Sequence, residues 1–376
     1  IVLLLIITYK EEIMEHSRYF YPNYSIGTDA YADVPQVCRK YGTKAVIIGG
    51  TRALKAAADR IKDAVKGSEI EITGVFEYGG EASRENIDML NTHPEVREAD
   101  MIFACGGGKA IDTCKVLAQE SSRPFFTFPT IASTCASCTS LGIIYHPDGS
   151  LREYSFQEKP AEWIFINTQV IAEAPEKYLW AGIGDTMAKF YECTISARGD
   201  VLDHATSMGV QISHLCAEPL VKYGVEALEE CRNNKAGNAL REIVLGIIVS
   251  TGFVSNLVGI DLNTGLAHAC YNGFTVCRST EEHGHLHGEI VAYCILILLL
   301  VDHQEKEFER IFEFSRKMGF PTRLSHILAS LDDMDAVIKK ALDGIDVRKW
   351  PYEVTPDMIL NAVKKIEAYN DEKGIK

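Results

Sequence analysis

Apolar positions follow two different rhythms along this chain, and the change comes close to Asn167. Before it, four runs rich in β-branched and aromatic residues stop at Gly, Thr or Pro: KAVIIGG (Lys44 to Gly50), ADMIFACGGG (Ala99 to Gly108), RPFFTFPT (Arg123 to Thr130) and EWIFINT (Glu162 to Thr168). Between them, RALKAAADRIKDAVKG and KAIDTCKVLAQE place apolar residues at helical spacing among strong helix formers. Alternating strand and helix predicts a parallel sheet with helices on its faces. Beyond Asn167, PEKYLWAGIGDTMAKFYECTISA, ALREIVLGIIVSTGFVSNLVG, HGEIVAYCILILLLVDHQEKEFERIFEFSRKMG and TPDMILNAVKKIEAYND read as long helical patterns, so an all-α half follows. The expected organisation is an α/β domain over residues 14–170 and a helical domain over residues 171–376. No repeat, low-complexity tract or polar linker separates them, so they are expected to pack closely around a ligand cleft.

Length and composition narrow the function class. A chain of 376 residues with 47% hydrophobic and 24% charged residues is an ordinary globular protein with room for two domains. Its net charge of -14 argues against nucleic acid or an anionic membrane as partner. The eleven cysteines, scattered from Cys38 to Cys294 without framework spacing, point to free thiols and a cytoplasmic location. The opening IVLLLII is too short to span a bilayer and lacks a basic segment before it. Translation is expected to start at Met14, with residues 1–13 an upstream or non-native extension. CILILLLV (Cys294 to Val301) is likewise too short to span and reads as buried helix.

Two glycine turns carry the first candidate chemistry. FACGGGKAIDTCK sets three glycines between a strand and a helix, where backbone N–H groups can approach a pyrophosphate and the helix dipole assists. A tight turn without ligand would use the same residues, and the pattern is not the G-x-G-x-x-G fingerprint. In VIIGGTRALK the strand ends at Gly49 and Gly50, without the acid that dinucleotide sites place on the ribose 2′-OH; Arg52 and Lys55 follow, which favours NADPH over NADH.

Ligand-type residues gather in the helical half. AGIGDTMAKFYE places Asp185 at a helix start after two glycines, TGLAHACYNGF carries His268, and EEHGHLHGEIVAYC carries His283, His285 and His287. Asp185, His268 and one histidine of the last cluster would supply one oxygen and two nitrogens with an open position, the pattern of a catalytic metal site in which zinc is favoured over ferrous iron. Taken singly, each is as easily a helix cap or an ordinary histidine. PTIASTCASCTSLGIIY (Pro129 to Tyr145) holds Cys135 and Cys138 as Cys-x-x-Cys, which suits a redox pair, half a zinc site or a pocket wall.

GGGKAIDTCK, PTIASTCASCTSLGIIY, AGIGDTMAKFYE, LAHACYNGFT and HGEIVAYC occur in the order found in the glycerol dehydrogenase branch of the iron-containing (type III) alcohol dehydrogenases, and the chain resembles that family from Met14 onward. STCA and AGIGDTMAKFYE are most similar to its hydroxycarboxylate dehydrogenase subgroup. The resemblance implies a Rossmann-like nucleotide-binding domain followed by an all-α domain, the architecture shared with dehydroquinate synthase. It implies NAD(P)(H) and one divalent metal in the cleft, and a homo-oligomer. By the same resemblance Asp185, His268 and His287 are the metal ligands, with His283 and His285 as neighbours able to relay a proton. Gly106, Gly107, Gly108 and Lys109 fall on the pyrophosphate turn, and Asp112 near the nicotinamide side of it. Thr130, Ser133, Thr139, Leu141 and Tyr145 fall on cofactor-contacting positions.

Two departures bear on specificity. Cys135 stands where glycerol dehydrogenases hold polyol hydroxyls with an Asp, and Gly50 stands where NAD-specific members carry an acid. A thiol in place of a carboxylate removes a repulsion against substrate anions, so Cys135 is expected to face substrate and the Cys-x-x-Cys spacing to be incidental. The resulting expectation is a metal-dependent oxidoreductase moving a hydride between NAD(P)(H) and a 2-oxo acid or 2-hydroxycarboxylate. The alternatives are polyol oxidation by a glycerol dehydrogenase, a dehydroquinate-synthase-like lyase, a thiol redox or metal-buffering protein, and a binding protein that has lost catalysis.

Overall fold

The structure is a computed structural model that describes residues 19–277 and 284–375. Residues 1–13, Met14 and His283 lie outside the described residues. Six parallel strands form one sheet in the order β1-β8-β5-β4-β2-β3: β1 Tyr24–Gly27, β2 Lys44–Gly49, β3 Glu71–Glu77, β4 Met101–Gly106, β5 Phe125–Pro129 and β8 Trp163–Asn167. The four apolar runs of the sequence are its inner strands. β4 is buried at every position, as expected when helices cover both faces. Side-chain alternation sorts the two layers: Ala45, Ile47 and Phe103 pack with Ala57 and Ile61 of the Thr51–Val65 helix, while Val46, Ile48 and Ile102 pack with Ile111 and Leu117 of the Gly108–Glu120 helix.

Both edge strands lack a long apolar run, which is why the sequence pattern misses them. YSIG has no fully buried residue, and EITGVFE is polar at both ends. The stretch Pro129 to Tyr145 ends in strand β6 (Leu141–Tyr145), paired antiparallel with β7 (Leu151–Phe156). Its alternate burial, on a hairpin outside the main sheet, is weaker than the signal of the inner strands.

After β8 the described residues contain no strand. Asp185 corrects one expectation: it sits in the middle of a 21-residue helix, Glu176–Ser196, and not at a helix start. The glycines before it do not begin the helix but allow neighbours to touch its backbone. A Cβ on Gly182 would lie 2.3 Å from the Ala132 carbonyl oxygen, and one on Gly184 would lie 2.2 Å from that of Gly288. The pattern read as one helical stretch from His287 is two helices, His287–Val301 and Glu305–Met318. The break carries His303 at φ +56°, a left-handed conformation that a helix does not continue through. Asn238–Leu257 runs continuously through a π turn at Leu245–Ser250 and is apolar and long enough to cross a membrane; 67% of its apolar window is buried inside the fold, as in a core helix.

Contact at Gly288 fixes how closely the Glu176–Ser196 and His287–Val301 helices approach, since a Cβ there would lie 1.8 Å from the Ala181 carbonyl oxygen. Gly288→Ala is expected to lower stability by about 1–3 kcal/mol, the usual cost of overpacking, read as a lower midpoint in urea unfolding; an unchanged midpoint would contradict this packing.

Candidate active site

The two glycine turns meet where the sheet changes direction. From β2 the chain goes out to the edge at β3 and returns past β2 to β4, so the crevice above the carboxyl ends of β2 and β4 is a topological switch point, where ligands of such sheets bind. A Cβ on Gly49 would stand 2.2 Å from the Cys105 carbonyl oxygen, so the two strand ends touch backbone to backbone. Gly107 is the N-cap of the Gly108–Glu120 helix and supplies no side chain to its first N–H groups. Those donors are left for a ligand, and a Cβ on Gly107 would press into Ile131 at 2.7 Å. Gly106, Gly107, Gly108 and Ser133, all expected at the cofactor, line one crevice together with Ile131 and Thr134. Thr130 closes its base by donating its N–H to the Gly106 carbonyl at 3.2 Å.

The remaining residues assigned to the cofactor have partners of their own. Lys109 pairs with Glu81 at 2.6 Å and lies 5.6 Å from the Tyr145 ring centroid. Asp112, Thr139 and Leu141 are joined by Lys115, whose fully buried ammonium donates to Asp112 Oδ1 at 2.9 Å, Thr139 Oγ1 at 3.2 Å and the Leu141 carbonyl at 2.6 Å. Asp112 Oδ2 accepts from the Ile143 N–H at 3.2 Å. Burial pushes its carboxyl up and Lys115 pulls against that. This network ties β6 to the helix that begins at the glycine turn. Gly50 faces Tyr78, whose ring would be 3.3 Å from a Cβ there.

Asp185, His268 and His287 converge from three helices. Their ligand atoms lie within 4.8 Å of one another. His268 Nε2 is 3.3 Å and His287 Nε2 3.1 Å from the same oxygen, Asp185 Oδ1. Each imidazole is aimed by a further contact. His268 Nδ1 meets Glu192 Oε2 at 2.6 Å, and the His268 backbone N–H donates to Glu192 Oε1 at 2.8 Å. His287, the first residue of its helix, rests against the Tyr271 ring at 4.1 Å. Burial would raise the Asp185 carboxyl, but His287 and His268 hold it well below the usual carboxylate range. Burial would lower His268, and the carboxylates of Glu192 and Asp185 raise it instead to about 10. One oxygen and two nitrogens already oriented toward a common point fit a divalent cation.

His285 Nδ1 meets Glu289 Oε1 at 2.9 Å. Cys135 is partly exposed, and burial pushes its thiol up while Lys189 pulls it down and Asp185 pushes it further up. Cys138 is buried against the Val249 carbonyl and Gly252, and both thiols are free. Glu192 and Lys115 escaped the sequence reading. Glu192 stands seven residues after Asp185, two turns along one helix face, and Lys115 three after Asp112; both spacings were available as signals.

Comparison with known proteins bears on the family and the fold. The iron-containing alcohol dehydrogenase family matches residues 22–163. A glycerol dehydrogenase of Thermotoga maritima is 34% identical over 301 residues, 78% of this chain and 81% of the relative. Hydroxycarboxylate dehydrogenase A of Escherichia coli is 29% identical over 87% of this chain and 90% of its own length. The crystal structure of glycerol dehydrogenase from Schizosaccharomyces pombe superposes with a TM-score of 0.84 at 26% identity, covering 96% of this chain and 94% of that one. The chain therefore belongs to the iron-containing alcohol dehydrogenase family, in its glycerol dehydrogenase branch, and is an alcohol dehydrogenase.

Proposed function

We propose that this enzyme moves a hydride between NAD(P)(H) and a small substrate with two vicinal oxygens, glycerol-type polyols being the class its relatives favour. The observation that carries the proposal is the contact between the two half-sites. The helix bearing Asp185 lies directly on the loop that lines the glycine crevice, with a Cβ at Gly182 only 2.3 Å from the Ala132 carbonyl oxygen and 3.0 Å from Ser133 Cα. Asp185 follows Gly182 by three residues, less than one helical turn. In this reading residues 14–170 bind the nucleotide and residues 171–376 supply the metal ligands.

Asp185, His268 and His287 would hold the divalent cation, which when bound supplies Lewis-acid polarisation of the substrate oxygen. Glu192 fixes the tautomer and tilt of His268 through Nδ1, which leaves Nε2 facing the site. A carboxylate and two imidazoles with room for a substrate oxygen fit zinc, and the same donor set also suits ferrous iron. The N–H groups at the start of the Gly108–Glu120 helix would take the diphosphate, and the absence of an acid at Gly50, with Arg52 and Lys55 following, supports NADPH over NADH. Eleven free thiols support a reducing cytoplasm.

A second reading, reduction of 2-oxo acids, is supported by Cys135. Burial raises its thiol, so it stands neutral beside Asp185 and presents no anion to a substrate carboxylate.

Metal-replete protein assayed with both nicotinamides is expected to oxidise glycerol or 1,2-propanediol and to lose that activity on chelation. Absence of turnover across polyols, 2-oxo acids and simple carbonyls would overturn the proposal. Glu192→Gln is expected to weaken metal binding by about 10- to 100-fold, as for other residues that orient a ligating histidine, measured by competition with a chromophoric chelator; unaltered affinity would contradict the role given to Glu192. In fluorescence titrations Gly50→Asp is expected to move the NADPH to NADH affinity ratio toward NADH by at least about tenfold, because a like charge beside the 2′-phosphate is costly; an unmoved ratio would show that Gly50 does not face the ribose.

A further inference from the structure

One wall of the glycine crevice is an irregular loop, in which Ile131, Ala136 and Ser137 face the crevice together with Gly107 and Gly108. Cys135 to Thr139 make a tight turn in that wall, the Cys138 and Thr139 N–H groups both donating to the Cys135 carbonyl, at 2.8 and 3.2 Å. The later peptide groups of such a turn have no partner within it and must find one outside. From the α/β half, Thr127 Oγ1 donates to the Ser137 carbonyl at 3.0 Å. From the helical half, a single side chain holds the peptide groups on either side of Thr139. Asn256 Nδ2 donates to the Cys138 carbonyl at 3.0 Å, and Asn256 Oδ1 accepts from the Ser140 N–H at 3.0 Å and from the Ser140 hydroxyl at 3.3 Å.

The helix that carries Asn256 is shaped to reach this turn. Gly252 and Asn256 are four residues apart and share one face of it. A Cβ on Gly252 would lie 2.4 Å from Cys138 Sγ, so the absence of a side chain there lets the helix close on the turn. The π turn at Leu245–Ser250 comes directly before both residues and sets their rotation toward the loop, a deformation often found beside functional sites. A primary amide offers one acceptor and one donor group, which matches a peptide N–H and C=O two residues apart. Asn256 thereby serves the loop as a neighbouring strand would. Its partners Cys138 and Ser140 directly follow the crevice-lining Ser137.

We infer that Asn256 is a positioning residue for the dinucleotide: it holds the Cys135–Thr139 turn in the place where Ala136 and Ser137 complete the crevice. The inference rests on the dehydrogenase reading above, which puts a dinucleotide in that crevice. It makes the helical half responsible for part of the nucleotide site as well as for the metal ligands.

Fluorescence titration with NADPH and with NADH compares wild type, Asn256→Leu and a control, Asn370→Leu. The control removes another bonded amide of the helical half, one that donates to the Thr322 and Ile366 carbonyls at 2.7 and 2.8 Å. Asn256→Leu is expected to weaken dinucleotide binding by about tenfold, the loss that goes with two unmade hydrogen bonds. KM for the dinucleotide is expected to rise in step, with kcat at saturation within about threefold of wild type and metal content unchanged. Asn370→Leu is expected to lower the urea midpoint and to leave dinucleotide affinity at the wild-type value. Should Asn256→Leu fail to fold, Asn256→Ser, whose hydroxyl can keep one of the bonds, is expected to show a smaller loss in the same direction. Unchanged affinity in the folded Asn256 variant overturns the inference, as does a fall in kcat without a change in KM. An equal loss of affinity in Asn370→Leu also overturns it, by tracing the effect to stability. In each of these cases wild type still binds the dinucleotide and the dehydrogenase reading stands. Wild-type protein that binds neither NADPH nor NADH defeats that reading and the inference with it.

Discussion

Backbone contact between two helices sets the geometry on which the site depends. Gly184 and Gly288 let the Glu176–Ser196 and His287–Val301 helices approach until one backbone touches the other, and this brings His287 to the Asp185 carboxylate. Each glycine inside a helix costs about 1 kcal/mol relative to alanine. The His287–Val301 helix offsets that cost many times over, because thirteen of its fifteen residues are buried and each large aliphatic side chain contributes about 1.5–3 kcal/mol. Gly182, on the same helix as Gly184, makes the matching contact with the loop at Ala132. One helix therefore joins the glycine crevice to the Asp–His–His cluster.

The electrostatics follow from that packing. Asp185, a partly buried carboxylate, stays charged because two imidazoles face one of its oxygens, and His268 is in turn held by the fully buried Glu192. Removing one member would leave a buried charge without compensation, which costs more than the pair itself contributes. Lys115 plays the equivalent part in the α/β half, where a buried ion pair with Asp112 anchors β6 beside the glycine turn.

Much of this was legible in the sequence, and the gaps have physical causes. Inner strands such as KAVIIG and MIFACG are visible because both faces are buried, whereas YSIG and EITGVFE sit at edges and share their polarity with loops. Asp185, His268 and His287 were named from the sequence, and the fold brings them together. The position of Asp185 was misread because glycine signals both helix ends and close contact, and only the packing separates the two. Glu192 and Lys115 were overlooked because a charge within an apolar helix face has meaning only through its partner. Asp112, Thr139 and Leu141 show the converse, since residues assigned singly to a ligand prove to be linked to one another.

The central claim is that helix packing assembles a divalent-metal site at the mouth of a nucleotide crevice. Elemental analysis of purified protein, wild type beside Asp185→Asn and His268→Ala, tests it most directly. The account predicts about one divalent ion per chain in wild type, as expected of a single three-ligand site, and loss of that ion in both folded variants. Folded variants that keep the wild-type metal content, or wild-type protein that transfers hydride at full rate after exhaustive chelation, would contradict it.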